Sequence, residues 1–181
     1  MYEQKKKEFT EFLKPRGVFT KIILGGIMLL FAFLMIQPNI TIGVFLMFLI
    51  IGILLILFAV RSLMNHNQYI QSLEKSGQLH RVLQDFAQAG CLVDGKLRFG
   101  QYCLYAKGHG KLLPYSDIAR VYQYVHKTNG VEDMRELKYV NREGKERSLC
   151  RLKIRGKSDA DVHMAVTMLY RKNPNIQIGY R

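Results

Sequence analysis

Residues 18–62 read VFTKIILGGIMLLFAFLMIQPNITIGVFLMFLIIGILLILFAVRS. Apart from Lys21 and Arg61 near its ends, this stretch contains no charged residue and no histidine. A helix needs about 20 apolar residues to cross the hydrocarbon core of a bilayer. Residues 40–60 supply that length, and residues 18–36 are slightly short of it. The one charge in the shorter run, on Lys21, is compatible with a span because this side chain can extend to the headgroups. The pattern predicts two transmembrane helices.

The short link between these helices is Gln37-Pro38-Asn39, which predicts a tight helical hairpin. The link has no Lys or Arg, whereas the chain on the other side of the membrane is basic, so the positive-inside bias predicts that both termini are cytoplasmic. The sequence therefore predicts a multi-pass cell-membrane protein. The basic residues that set this orientation are Lys5, Lys6, Lys7, Lys14, Arg16, Lys21 and Arg61.

Small residues on both spans would let the two helix backbones approach closely. No GxxxG motif accompanies them, so the oligomeric state stays open. Neither span carries an ionisable group near its middle, which argues against transport by this chain alone. The small residues are Gly25, Gly26 and Ala32 in the first span and Gly43 and Gly52 in the second.

The rest of the chain divides around this hairpin. Residues 1–17 form a cytoplasmic N-terminal arm, residues 18–62 the hairpin, residues 63–90 a helical connector, and residues 91–181 a β domain with a C-terminal helix. In the arm, three apolar residues fall on one helical face, namely Phe9, Phe12 and Leu13. That face is typical of a helix lying on the membrane surface, and a short solvated arm is the alternative.

The connector ends in an amphipathic helix over residues 79–87, with Asp85 on its polar side. From Cys91 the apolar period changes to two, which indicates strands. Gly108-His109-Gly110 and Asn129-Gly130 are predicted turns. Ser158 is a suitable N-cap for a closing helix that ends at Lys172. We predict an α+β chain in which the transmembrane hairpin precedes a cytoplasmic antiparallel sheet with packed helices.

Several phrases in the β domain carry a resemblance. They are Leu113-Pro114-Tyr115-Ser116-Asp117-Ile118 and Val121-Tyr122 within residues 100–129, then Lys172-Asn173-Pro174-Asn175-Ile176 and Ile178-Gly179-Tyr180. Together they resemble uncharacterised bacterial membrane proteins that have two N-terminal helices and a pleckstrin-homology-like (PH-like) cytoplasmic domain. The resemblance covers residues 65–181 and implies a PH-like fold in a membrane context, with no catalytic residues. One departure is that the strand patterns number nearer six than seven.

The formal net charge of +13 favours contact with an anionic partner. For a membrane-anchored chain the nearest anion is the lipid of the inner leaflet, and a protein partner is also compatible. No DNA- or RNA-binding motif is present, so we predict no nucleic-acid partner. The predicted binding surface is a basic strand and the turn before it, although a merely solvated strand face has the same pattern. Its residues are Arg142, Lys145, Arg147, Arg151, Lys153 and Arg155.

The sequence offers little for catalysis. Cys91, Cys103 and Cys150 form no CxxC pair, and the five histidines are dispersed, so we predict no metal site and no cofactor. The segment 107–111, KGHGK, lacks the spacing of a phosphate-binding loop and is interpreted as a hairpin turn. Asp117 could be grouped with His126 or Ser116, but no nucleophile elbow surrounds any serine. We predict that the chain is not an enzyme.

Two hypotheses follow for function. The first is a non-enzymatic integral membrane protein whose basic cytoplasmic PH-like domain binds a protein partner or the anionic inner membrane surface. The second is an accessory or regulatory subunit of a larger membrane transport or signalling complex, assembled through its helices. Dependence of binding on the charges of Arg151, Lys153 and Arg155 would favour the first.

Overall fold

The computed structural model describes residues 2–34, 42–152 and 158–180, and within them the chain is α+β, as predicted. The described helices are α1 (Tyr2–Leu13), α2 (Val18–Leu34), α3 (Ile42–Lys75), α4 (Leu79–Gln88) and α5 (Ser158–Lys172). The described strands are β1 (Gly90–Leu92), β2 (Leu97–Phe99), β3 (Cys103–Ala106), β4 (Leu113–Pro114), β5 (Ile118–Thr128), β6 (Val131–Asn141), β7 (Glu146–Leu152) and β8 (Gln177–Tyr180).

The chain forms two compact units. Lys14–Lys75 make up one, called here the helical unit, and Met1–Leu13 together with Ser76–Arg181 make up the other, called here the mixed unit. The mixed unit is therefore discontinuous in sequence. The N-terminal helix belongs to it although the whole helical unit lies between that helix and the remaining residues.

In the helical unit, α2 and α3 pack side by side. A Cβ atom added to Gly25 would lie 2.9 Å from the carbonyl oxygen of Gly52, so the two backbones are in close contact there. The rings of Phe31 and Phe48 are 6.4 Å apart. The contacts run from Gly25 to Phe31 along α2 and from Gly52 back to Phe48 along α3, so the two helices are antiparallel.

Only some of the small residues lie where α2 and α3 touch. Gly25, Gly52 and the buried Ala32 lie at the helix contact, as predicted. Gly26 and Gly43 do not, since an added Cβ would meet no atom within 4 Å at either position.

Helix α3 is long and apolar enough to cross a membrane by itself, whereas α2 meets the same length criterion only when it is counted with α1. Helix α3 also continues without a break to Lys75, into the predicted helical connector. The predicted outer link, Gln37-Pro38-Asn39, lies outside the described residues.

The mixed unit contains two four-stranded sheets. Strands β1, β2, β3 and β4 form an antiparallel meander, and the second sheet has the order β7-β6-β5-β8. In the second sheet β5, β6 and β7 are antiparallel, but β8 runs parallel to β5. The predicted antiparallel sheet is therefore correct except for β8, which returns through α5 as a parallel connection requires. The described strands number eight rather than six.

Both sheets and α5 share one apolar core. Leu97 and Leu104 from the first sheet and Leu137 from the second are all 0% exposed. Helix α5 covers them with an apolar stripe in which Val162, Ala165 and Leu169 are buried. The predicted turn at Asn129-Gly130 is confirmed as well, since both residues have positive φ, the conformation that a tight two-residue hairpin turn needs.

Helix α1 packs its apolar face against the rest of the mixed unit, which differs from both hypotheses for the arm, a helix on the membrane surface and a short solvated arm. Its Phe9 is 0% exposed and meets Phe86 of α4 and Tyr105 of β3 edge to face, with ring centroids 5.3 and 6.1 Å apart. Glu8 adds an ion pair of 2.9 Å to Arg98 of β2. The apolar face read from the sequence is real, but it packs on the domain because that surface offers matching aromatic rings.

Candidate functional site

The predicted basic surface is divided in the structure. Arg142 and Lys145 lie in the turn between β6 and β7, and Arg147 and Arg151 lie on β7. Lys153 and Arg155 fall outside the described residues. The apolar Cys150 and Leu152 of β7 are buried.

A β-bulge separates Arg147 from Arg151. Arg147 pairs with Tyr139, and Arg151 pairs with Glu136. Tyr139 and Glu136 are three residues apart on β6, so they point to opposite faces of the sheet, and their partners do too. The cause is an extra residue, Leu149, between the pairs of Ser148 and Cys150 with β6. The alternation predicted for a regular strand therefore reverses at Leu149.

Acidic neighbours also reduce the charge of this region. Arg151 contacts Glu136 at 3.1 Å, and Lys145 contacts Glu143 at 2.9 Å. On β6, Lys138 is paired with Glu146 at 2.8 Å. The sheet face that carries Arg151 is consequently a mixture of both signs.

One of the remaining predicted cations, Arg147, pairs with a residue that contacts a second basic segment. Tyr139, the partner of Arg147, places its hydroxyl 3.3 Å from Nε2 of His109 in the loop between β3 and β4. Exposed lysines flank that loop. They belong to the predicted hairpin turn at residues 107–111, and their position near β7 depends on how the two sheets meet. We call this group the basic end: Lys107, Lys111, Arg142, Lys145 and Arg147.

The loop that includes Gly108 and Gly110 caps helix α1. The amide of Gly108 donates to the carbonyl of Phe12 at 2.8 Å, and that of Gly110 donates to Leu13 at 2.7 Å. Both glycines have positive φ, 79° and 86°, which suits residues without a side chain. The carbonyls at a helix C-terminus have no partner within the helix, so the loop satisfies two of them. These amides are therefore not directed at a phosphate.

A buried carboxylate joins α4 to the first sheet. Asp85, predicted to lie on the polar side of its helix, is only 9% exposed. It accepts hydrogen bonds from the hydroxyl of Tyr105 at 2.7 Å and from the backbone N–H of Gln101 at 2.6 Å. The turn between β2 and β3 covers it, and Gly100 leaves the space that its carboxylate fills.

Burial raises the pKa values of two groups near this carboxylate, Cys103 and Tyr105. Desolvation, followed by the nearby negative charges of Asp85 and Asp117, raises the pKa of the Cys103 thiol to about 11. The pKa of Tyr105 is raised as well, first by burial and then by its hydrogen bond to Asp85. A thiol with a raised pKa is a poor nucleophile near neutral pH. The cluster therefore fits a role in holding α4 in place.

Asp117, His126 and Ser116 do not form a triad. His126 contacts Asp133 at 2.6 Å, and Thr128 donates to the other oxygen of Asp133 at 2.5 Å. Asp117 instead accepts from its neighbour Ser116 at 3.3 Å. The side chains of His126 and Asp133 are both exposed, at the tip of the β5–β6 hairpin. Over residues 2–34, 42–152 and 158–180, no group of three or more His, Cys, Asp or Glu side chains is placed to hold a metal ion.

A groove of about 480 Å³ lies between α5 and the second sheet. Half of its ten lining residues are aliphatic, and the guanidinium of Arg135 in the lining is paired with Glu132 at 2.6 Å. His163 lies on the α5 side. The aliphatic residues of the lining are Val121, Val125, Val162, Val166 and Ile178.

Comparisons of the chain with known protein families, with curated proteins and with solved structures found no match, so the resemblance drawn from the sequence stays a prediction.

Proposed function

We propose that this chain is a non-enzymatic membrane protein that crosses the bilayer twice and holds a PH-like docking domain at the inner surface. In this proposal α2 and α3 are the two spans, and the mixed unit is the cytoplasmic domain. The domain binds the membrane surface or a protein partner rather than turning over a substrate.

One observation carries the proposal, namely that α1 belongs to the mixed unit. Phe9 of α1 is fully buried against Phe86 and Tyr105, which follow the helical unit in sequence. Residues in contact must lie on the same side of a membrane. The chain between Leu13 and Ser76 therefore crosses the bilayer an even number of times. Since α3 is long enough to cross, α2 must cross as well if either does.

The surface of the helical unit supports a lipid environment. Large apolar side chains are exposed along both helices, among them Phe19 at 76%, Phe33 at 71% and Ile42 at 75%. An apolar surface of this extent is unfavourable in water and favourable in hydrocarbon. The basic residues before α2 and after the apolar part of α3 favour a cytoplasmic location for both ends.

The element order supports the PH-like assignment. Four antiparallel strands, β1 to β4, precede three more, β5 to β7, and a helix follows. The two motifs that might have indicated catalysis have structural contacts instead. The amides of Gly108 and Gly110 cap α1, and Asp117 and His126 have different partners.

Cysteine accessibility tests the two-span topology. In the full-length chain with Cys103 and Cys150 changed to Ala, labelling of the exposed Cys91 shows on which side of the membrane the domain lies. Separate variants that lack Cys91 carry Tyr2→Cys in α1 or Asn39→Cys in the link. We expect a membrane-impermeant maleimide to label Asn39→Cys in intact cells, and Cys91 and Tyr2→Cys only after permeabilisation. Labelling of Tyr2→Cys and Cys91 from opposite sides would overturn the proposal.

A further inference from the structure

We infer that the basic end of the mixed unit, rather than the outward face of the second sheet, docks on anionic phospholipid of the inner leaflet. This inference rests on the two-span topology proposed above. It assigns a surface and a ligand class to the docking domain. The ligand is the anionic bilayer surface as a whole, not a single headgroup in a pocket.

The first argument is the point at which the chain leaves the domain. Leu13 is the last residue of α1, and its carbonyl is held by the amide of Gly110. Helix α2 begins at Val18, five Cα steps later. A chain advances at most about 3.6 Å for each residue, so Leu13 lies within roughly 18 Å of the start of α2. The loop that holds Leu13 is therefore tethered close to any membrane that α2 enters.

The second argument is the charge at this end. Lys107 and Lys111 flank the loop that holds Leu13, and both are exposed. Arg142 and Arg147 are exposed on the neighbouring turn and strand. Four acids lie in or next to the same segments: Glu143, paired with Lys145; Glu146, paired with Lys138; Asp117, whose carbonyl accepts from the backbone amide of Arg142; and Glu11, in the last turn of α1. The cations are the five residues of the basic end and Lys138. Cations therefore exceed acids at the end of the domain where the chain departs.

The opposite end of the second sheet lacks this excess. At the tip of the β5–β6 hairpin, Lys127 and His126 lie with Glu132 and Asp133. Strand β6 has 11 residues, which at about 3.4 Å each puts the tip on the order of 35 Å from the turn that carries Arg142. The attraction of a charged leaflet falls off over a Debye length of about 8 Å, so only one of these ends can be attracted at a time.

The test measures the distance of each end from the bilayer in the full-length protein. A fluorophore is attached at Ser116→Cys, next to the basic end, or at Asn129→Cys, at the hairpin tip, in a background without native cysteines. Each protein is reconstituted in nanodiscs with headgroup-quencher lipid, containing either neutral lipid alone or about one third anionic lipid. We expect anionic lipid to increase quenching at Ser116→Cys and not at Asn129→Cys, and salt to reverse the increase.

The charge dependence is tested with matched variants. Each removed charge should lower the ratio of docked to undocked domain about 5-fold, so Lys107→Gln with Lys111→Gln should lower it roughly 25-fold. Lys127→Gln, at the hairpin tip, should leave it unchanged. Equal quenching in neutral and anionic nanodiscs, or equal effects of Lys111→Gln and Lys127→Gln, would overturn the inference. Stoichiometric capture of a protein partner through these lysines, without lipid dependence, would overturn it too.

Failure of the topology can be told apart from failure of this inference. If Cys91 and Tyr2→Cys label from opposite sides, the two-span proposal is wrong and the inference loses its basis. If both label from the inner side but quenching ignores anionic lipid, the topology stands and the lipid surface is rejected.

Discussion

At the scale of single residues, Gly100 and Asp85 show how one missing side chain allows a buried charge. A Cβ atom added to Gly100 would lie 2.0 Å from a carboxylate oxygen of Asp85 and 2.9 Å from the ring of Tyr105. Both neighbours are fixed by the hydrogen bond between them. Neither can move without leaving a buried polar group unsatisfied, which itself costs about 1–3 kcal/mol.

We therefore expect Gly100→Ala to lower the free energy of unfolding of the mixed unit by about 1–3 kcal/mol, the usual range for overpacking. The matched control is Gly90→Ala, because an added Cβ at Gly90 meets no atom within 4 Å. The measurement is the rate at which a thiol reagent modifies the buried Cys150 over a denaturant series. Equal rates in the two variants would contradict the close packing around Gly100.

At the scale of elements, the contact between α2 and α3 depends on which side of a helix a glycine occupies. Gly25 and Gly26 are adjacent in sequence, but only Gly25 faces α3. An added Cβ at Gly25 would lie 2.7 Å from Ile56 and 2.9 Å from the backbone of Gly52, whereas at Gly26 it would meet nothing within 4 Å. Close backbone approach at small residues is a main source of helix association in a bilayer.

Gly25→Leu should accordingly weaken the α2–α3 contact, and Gly26→Leu should leave it intact. The readout is cross-linking between Phe31→Cys and Phe48→Cys, whose native rings are 6.4 Å apart. We expect the cross-linked fraction to fall several-fold with Gly25→Leu alone. A similar fall with Gly26→Leu would mean that the exposed side of α2 also supports the contact.

At the scale of the whole molecule, the mixed unit is completed by a helix from the other end of the chain. Without α1, Phe86 and Tyr105 would lose the edge contacts that keep them 2% and 1% exposed. Residues 76–181 alone should then bind a dye specific for exposed apolar surface and leave Cys150 open to modification. Adding a peptide of residues 2–13 should restore protection.

The matched peptide for this experiment carries Phe9→Ala. Removing a fully buried phenylalanine costs about 3–5 kcal/mol, so this peptide should restore protection only at concentrations at least 100-fold higher. Full protection of Cys150 in residues 76–181 without any peptide would show that the domain is complete without α1.

The features that could be predicted from the sequence are those that depend on residues close together along the chain. The apolar runs of α2 and α3, the stripe of α5 and the turn at Asn129-Gly130 all follow from local periodicity and backbone preference, and the structure agrees with them. The α+β class follows from the same patterns. Three of the five residues of the basic end, Arg142, Lys145 and Arg147, were also visible as a run of cations.

The packing of α1, the pairing of the charges and the burial of Asp85 could not be predicted without the three-dimensional structure. Each depends on contacts between residues far apart in sequence, such as Phe12 with Gly108 or Tyr139 with His109. The bulge at Leu149 had no local signal either, since it exists only in the pairing of β7 with β6. A pattern along the chain shows which face of an element is apolar, but the surface that covers it is supplied by the fold.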